Sequence, residues 1–111
     1  MEGSYRFFCV KTARGGYTRS KAIVTLCEAA GAASVIGSQG DTDLGTLTSA
    51  QFAAAQDATL RYPSELTFFL EAEGGILAAP PAIRDGAVTL PDAPGHGGEI
   101  DEEKLARFRL D

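Results

Sequence analysis

Six side chains in this sequence carry chemistry worth placing: Lys11, Ser38, Asp41, Asp43, Glu65 and His96. Lys11 stands at the end of the apolar run Tyr5-Arg6-Phe7-Phe8-Cys9-Val10. An amine there can exchange protons near neutral pH only where desolvation or a neighbouring cation favours its uncharged form. A lysine at a strand end is more often a solvated side chain than a base. Glu65 reads equally well as an exposed strand-end carboxylate, and Asp41 and Asp43 as turn and cap residues of the loop that starts at Ser38. Asp41, Asp43 and Glu65 could together hold a metal ion, yet no compact Asp-x-Asp-x-Asp-Gly loop supports such a site. His96 lies in a Pro-Gly loop without a second ligand nearby, which predicts a solvent-exposed ring rather than a metal ligand.

The elements that must position these groups follow from periodicity. Residues 5 to 11 read as a buried strand, and Gly15-Gly16 as its exit. Thr18 can cap a helix in which Ile23, Leu26, Cys27 and Ala30 form one apolar stripe, and Gly31 sits where that helix stops. Ala32-Ala33-Ser34-Val35-Ile36-Gly37 reads as a second buried strand, ending in the loop Ser38-Gln39-Gly40-Asp41-Thr42-Asp43. Asp43 can cap a second helix over 44 to 56, with Leu44, Leu47, Ala50 and Ala54 on one side. A third strand is expected from Ser64 or Glu65 through Leu66-Thr67-Phe68-Phe69-Leu70, after Pro63. Strand and helix in alternation imply right-handed β-α-β units with adjacent parallel strands. Two helices cover three such strands poorly, so the sheet reads as unfinished at both edges.

After residue 71 the chemistry becomes that of turns. Gly74-Gly75 is expected to join Leu70-Glu71-Ala72 to Ile76-Leu77-Ala78 as one hairpin, and Asp85-Gly86 to join Ala82-Ile83 to Ala87-Val88-Thr89-Leu90 as another. Residues 91 to 98 are too rich in Pro and Gly for regular structure. Asp101 can cap a short terminal helix, with Ile100 and Leu105 placed for a hydrophobic staple. The chain divides into 1–71, the β/α part, and 72–111, a C-terminal extension.

Composition narrows the function classes. At 111 residues with 44% apolar content the chain has the length of one small domain. A net charge of −5, with ten basic residues spread along the sequence, argues against nucleic acid or an anionic membrane as partner. Two cysteines without a secretory signal suggest reduced thiols and a cytoplasmic setting, and no apolar stretch approaches a spanning length of about 20 residues.

Three stretches taken together resemble the C-terminal portion of the enolase superfamily, closest to the muconate cycloisomerase subgroup of the mandelate racemase and muconate lactonizing enzymes. They are Phe8-Cys9-Val10-Lys11-Thr12-Ala13-Arg14-Gly15-Gly16, the segment from Gly37-Ser38 through Gly45-Thr46-Leu47, and the tail from Pro80 to Phe108. The resemblance implies an α/β fold that is part of a TIM (β/α) barrel, about its last three β/α units, with a β-hairpin and short-helix extension returning toward a capping domain. A whole barrel takes about 250 residues and eight units. It implies Lys11 as one of two lysines exchanging a proton at the α-carbon of a small carboxylate substrate, and Glu65 as a hydrogen-bond partner for a carboxylate rather than a metal ligand. It also implies Ser38, Asp41 and Asp43 as pocket-lining residues. The family's Mg2+ or Mn2+ is held by three carboxylates on strands that would precede residue 1, so none is expected to bind this chain alone. His96 departs from the subgroup, which carries an apolar residue in its Pro-Gly-x-Gly turn.

Three functions remain open at this stage. The chain is the C-terminal piece of a metal-dependent cycloisomerase-like enzyme, inactive alone and completed by the N-terminal part of the barrel. Alternatively it is a non-catalytic structural or binding module that covers its edges with a second copy of itself. Or it is a small complete enzyme that uses Lys11 and Glu65 in a pocket of its own. Within the first, epimerisation or racemisation of a dipeptide or N-acyl amino acid competes with cycloisomerisation of a muconate.

Overall fold

The computed structural model describes residues 6–111; the expected start of the first strand at Tyr5 lies outside the described residues. The apolar run forms strand β1, Phe7–Val10, and the helix α1, Thr12–Ala29, returns the chain to strand β2, Ala33–Ile36. The two strands are parallel, with Phe7 beside Ala33 and Val10 beside Ile36. Helix α1 starts six residues before the expected cap at Thr18. Its first turn is set off from the rest by a kink at Gly16, whose φ of 71° and ψ of −178° are accessible to a residue without a Cβ. The helix stops where the sequence indicates: the Gly31 N–H bonds the Glu28 carbonyl at 3.0 Å and the Ala32 N–H bonds the Cys27 carbonyl at 2.8 Å. This pairing of the two residues beyond the last turn satisfies carbonyls the helix leaves unused.

The buried stripe of α1 is Ser20, Val24 and Cys27, whereas Ile23 and Leu26 are 43% and 68% exposed. Only Cys27 of the expected stripe faces the sheet. Burial raises the Cys27 thiol pKa above its ordinary value by disfavouring the thiolate. Helix α2, Asp43–Ala54, buries a wider face than expected, including Thr46, Leu47, Ala50, Phe52 and Ala53. The two helices meet through hydroxyls, with Thr12 Oγ1 2.7 Å from Ser49 Oγ. Val10, Val24, Ile36, Ala50, Phe52, Ala53, Ala58 and Leu66 form the core.

The third strand is reduced to one residue. Glu65 makes a parallel bridge to Gly37, its N–H bonding the Ile36 carbonyl at 2.8 Å, and residues Phe68–Leu70 then wind into a 3-10 turn. The aromatic content of the segment signals a strand, but only Leu66 within it is buried, so no second row of neighbours holds the rest extended.

The tail corrects one hairpin and keeps the other. Around Gly74-Gly75 the chain does not fold back on residues 70–72; Leu77 instead bridges Ile100 in antiparallel fashion, and the Ala78 N–H bonds the Glu99 carbonyl at 2.8 Å. Strands β3, Ala82–Arg84, and β4, Ala87–Thr89, form the expected hairpin. Asp85 and Gly86 take φ values of 50° and 76°, the left-handed pair that a tight two-residue turn requires. Helix α3, Glu102–Arg107, is capped by the Asp101 carboxylate, which accepts from the N–H groups of Glu103 and Lys104 at 3.0 Å. The Lys104 ammonium then donates to the Leu77 carbonyl at 2.7 Å. His96 is half-buried rather than solvent-exposed, its Nδ1 accepting from the Gly98 N–H at 3.0 Å.

The radius of gyration is 15.2 Å, against about 13 Å for a compact domain of this length. Among the described residues β1 pairs with β2 alone. Among the described residues no helix is long and apolar enough to cross a membrane.

Candidate functional site

The carboxyl ends of β1 and β2 and the single bridge at Glu65 lie side by side, and three of the expected site residues meet there. Lys11 follows β1 directly, and its Nζ donates to the Ser38 carbonyl at 2.5 Å. Ser38 follows Gly37 at the end of β2 and is 5% exposed. Its hydroxyl donates to the Glu65 carbonyl at 3.0 Å, and its N–H lies 3.3 Å from Glu65 Oε2. Parallel pairing produces this convergence, because adjacent strands running the same way bring their exits to one rim.

Gly37 sits at the centre of the group. A Cβ on it would overlap Cys9 Sγ and would lie 3.7 Å from Glu65 Oε2 and 3.9 Å from Lys11 Cε. Cys9 therefore borders the site. The sequence reads it only as a reduced thiol, although the two-residue repeat of a strand places it on the face of β1 that Lys11 continues. It is exposed, unlike Cys27. Arg14 does not join Lys11; its Nε donates to Gln39 Oε1 at 2.5 Å.

Asp41 and Asp43 stand apart from these three. Asp41 Oδ2 accepts from the Gln39 N–H at 3.1 Å, a turn contact, and the residue lines a shallow cavity of about 250 Å3 with Thr12, Gly16 and Tyr17. Asp43 is 4% exposed. Thr42, not Asp43, occupies the cap position of α2. Asp43 Oδ1 accepts from the N–H groups of Leu44 at 2.9 Å and Ile76 at 3.0 Å, and Oδ2 from Leu77 at 2.9 Å. Both of its oxygens thus fasten the tail to the start of α2. The Asp43 carboxylate already accepts three backbone N–H groups, and among the described residues no three His, Cys, Asp or Glu side chains converge on one point. The acidic groups among the described residues thus form no cluster of the kind that holds a divalent metal.

Comparison with known proteins identifies the family. The model of the family described as enolase C-terminal domain-like matches residues 2–104. Muconate cycloisomerase 1 of Pseudomonas putida is 34% identical over 108 residues, 96% of this chain and 28% of that protein. A 3,6-anhydro-alpha-L-galactonate cycloisomerase of Streptomyces coelicolor is 34% identical over 100 residues, 86% of this chain and 24% of the relative. The crystal structure of a muconate lactonizing enzyme from Mycobacterium smegmatis superposes with a TM-score of 0.92 at 38% identity, covering 98% of this chain and 31% of that one. The chain spans less than a third of the length of these proteins.

Proposed function

The chain belongs to the enolase C-terminal domain-like family, and on that premise we propose that it supplies the proton-exchanging lysine of a muconate cycloisomerase-like isomerase. Its α/β fold matches the C-terminal barrel domain of muconate lactonizing enzymes. In this reading the elements are about the last three units of a (β/α) barrel whose remaining strands come from polypeptide outside these 111 residues.

The observation that carries the reading is the convergence of Lys11, Ser38 and Glu65 at one rim of parallel strands. Ser38 gives the Lys11 amine a fixed acceptor, so one N–H is held on the Ser38 carbonyl and the remainder of the amine faces the rim. Lys11 takes the proton from the carbon next to the substrate carboxylate, and returns it in the reverse direction. The electron pair left on that carbon forms a carbon–carbon double bond as the ring C–O bond of the lactone breaks. Glu65, exposed and anchored by its backbone to β2, aligns a polar group of the substrate through its carboxylate. Any Mg2+ or Mn2+ of such an enzyme is held by groups outside this chain.

The test is reconstitution. The segment of the Mycobacterium smegmatis enzyme that precedes the stretch aligned with this chain is produced with it, and interconversion of muconate and muconolactone is followed with Mg2+ present. Turnover is expected in the mixture and absent from the chain alone. Lys11→Ala in the mixture lowers turnover by about 10²- to 10⁴-fold. Full turnover by the Lys11→Ala mixture, or by the purified monomer without a partner, overturns the reading.

A further inference from the structure

The rim offers a ligand fewer hydrogen-bond partners than its polar residues suggest. Ser38 spends its groups inside the chain: its carbonyl accepts from Lys11 Nζ, its hydroxyl donates to the Glu65 carbonyl, and its N–H bonds that same carbonyl at 2.8 Å. The Gly37 N–H is held by the Val10 carbonyl and the Glu65 N–H by the Ile36 carbonyl. Arg14 and Gln39 bond each other, and the Gln39 N–H bonds Asp41. Asp43 lies beneath the tail with both oxygens occupied. Three side chains are left to face a ligand between the strand ends: the Lys11 amine, the Glu65 carboxylate and the Cys9 thiol.

Cys9 is held there by a fitted pair. Gly37 is not among the glycines with a left-handed backbone, so its own φ does not demand the missing Cβ. The demand comes from sulfur, since a Cβ at Gly37 would overlap Cys9 Sγ. The place that sulfur fills lies 3.7 Å from Glu65 Oε2 and 3.9 Å from Lys11 Cε. Cys9 and Lys11, two residues apart on one extended segment, also share a face. The sulfur therefore floors the gap between the two groups to which the proposed chemistry belongs. A thiol is a weak donor and a weak acceptor, so this floor has bulk and polarisability but little hydrogen-bonding power.

We infer that Cys9 is a specificity-determining residue, whose sulfur, seated on Gly37, makes the site favour acids with a bare carbon chain over acids of the same length that carry hydroxyls. The inference rests on the reading of the chain as a share of an isomerase site and adds what that share discriminates. A hydroxyl pressed against the floor gives up water and gains no partner in return. A bare carbon loses no hydrogen bond there. The groups that could have met a hydroxyl are those Ser38 commits to Lys11 and Glu65. A pocket without such partners sets back an analogue with one added hydroxyl by up to about a hundredfold.

The experiment reads equilibrium binding, not turnover, in the complex of this chain with the preceding segment of the Mycobacterium smegmatis enzyme, Mg2+ present. The probes are adipate and 3-hydroxyadipate, diacids of equal length that differ in one hydroxyl placed away from the carbon next to either carboxylate. The unaltered complex should bind adipate more tightly by about tenfold to a hundredfold. Cys9→Ser sets a hydroxyl where the sulfur stood, keeps the fit over Gly37, and should narrow that ratio to about threefold or less. Cys9→Ala supplies no partner and should weaken both acids alike, leaving the ratio within about threefold of its original value. A thiol with only a structural role would give the same ratio in all three proteins. Equal binding of the two acids by the unaltered complex, a ratio unmoved by Cys9→Ser, or no binding of either acid would each overturn the proposal. Turnover of muconate with equal binding of the two acids removes the role of Cys9 and leaves the proposed function standing, whereas discrimination that follows position 9 without turnover does the reverse.

Discussion

At Leu77 the N–H bonds the Asp43 carboxylate, the carbonyl accepts from the Lys104 ammonium, the neighbours Ile76 and Ala78 bond Asp101 and Glu99, and the side chain is 1% exposed. At β1 one side is bonded to β2, the other has no partner among the described residues, and Phe7 is 55% exposed. The more apolar of the two sequences is the less buried. Burial of the tail depends on polar anchors that pin a modest stretch, Ile76-Leu77-Ala78, whereas the aromatic run at the start has nothing of its own to lie beneath. Apolar content therefore reports which surface must be covered, not which part of the protein covers it.

The comparison is best strained at its strongest point. Asp43→Ala leaves three backbone N–H groups without their carboxylate acceptor and should cost about 4 kcal/mol in urea unfolding, given the penalty of unsatisfied buried donors. A loss below about 1 kcal/mol would mean that water replaces the carboxylate and that the tail is held otherwise. Next, Leu77→Ala should cost about 3 kcal/mol, while Leu26→Ala stays within about 0.5 kcal/mol despite removing the same atoms. Equal losses at the two leucines would erase the distinction between the two regions.

The thiols sharpen it further. Cys9 on the open side should react with a maleimide at neutral pH about a hundredfold faster than Cys27, which the fold buries and keeps protonated. Because the folded-state pKa of Cys27 is raised, the unfolded chain loses that proton first as pH climbs. The stability linked to this thiol is intact below the ordinary thiol range and declines above it. Mass spectrometry of the labelled protein, with and without denaturant, separates the two rates. The smallest expected effect is at the far end: Asp101→Ala removes the cap of α3 and should cost about 1 kcal/mol, visible as faster amide exchange at Glu103 and Lys104.

Much of the site was legible because it depends on short-range rules. The exits of β1 and β2 follow from apolar runs closed by Lys11 and Gly37, and the Asp85-Gly86 turn and Asp101 cap follow from local backbone demands. Asp43 was legible only as a helix-start residue, since its partners Ile76 and Leu77 lie more than thirty positions away and no local pattern announces them. The same holds for residues 64–70, where strand-forming side chains wind into a 3-10 turn because one bridge to Gly37 is all the pairing they receive. The face of α1 was misjudged toward Ile23 and Leu26 for a related reason. Periodicity finds an apolar stripe but does not tell a stripe that meets its own sheet from one that awaits another surface.

Gly37 holds a consequence for evolution of the rim. A methyl group there would jut into the thiol of Cys9, within reach of the Lys11 stem and the Glu65 carboxylate, long before it disturbed the hydrophobic interior. Drift at this position thus presses first on the side chains at the rim, and a smaller residue at position 9 would be the natural companion of any change at position 37.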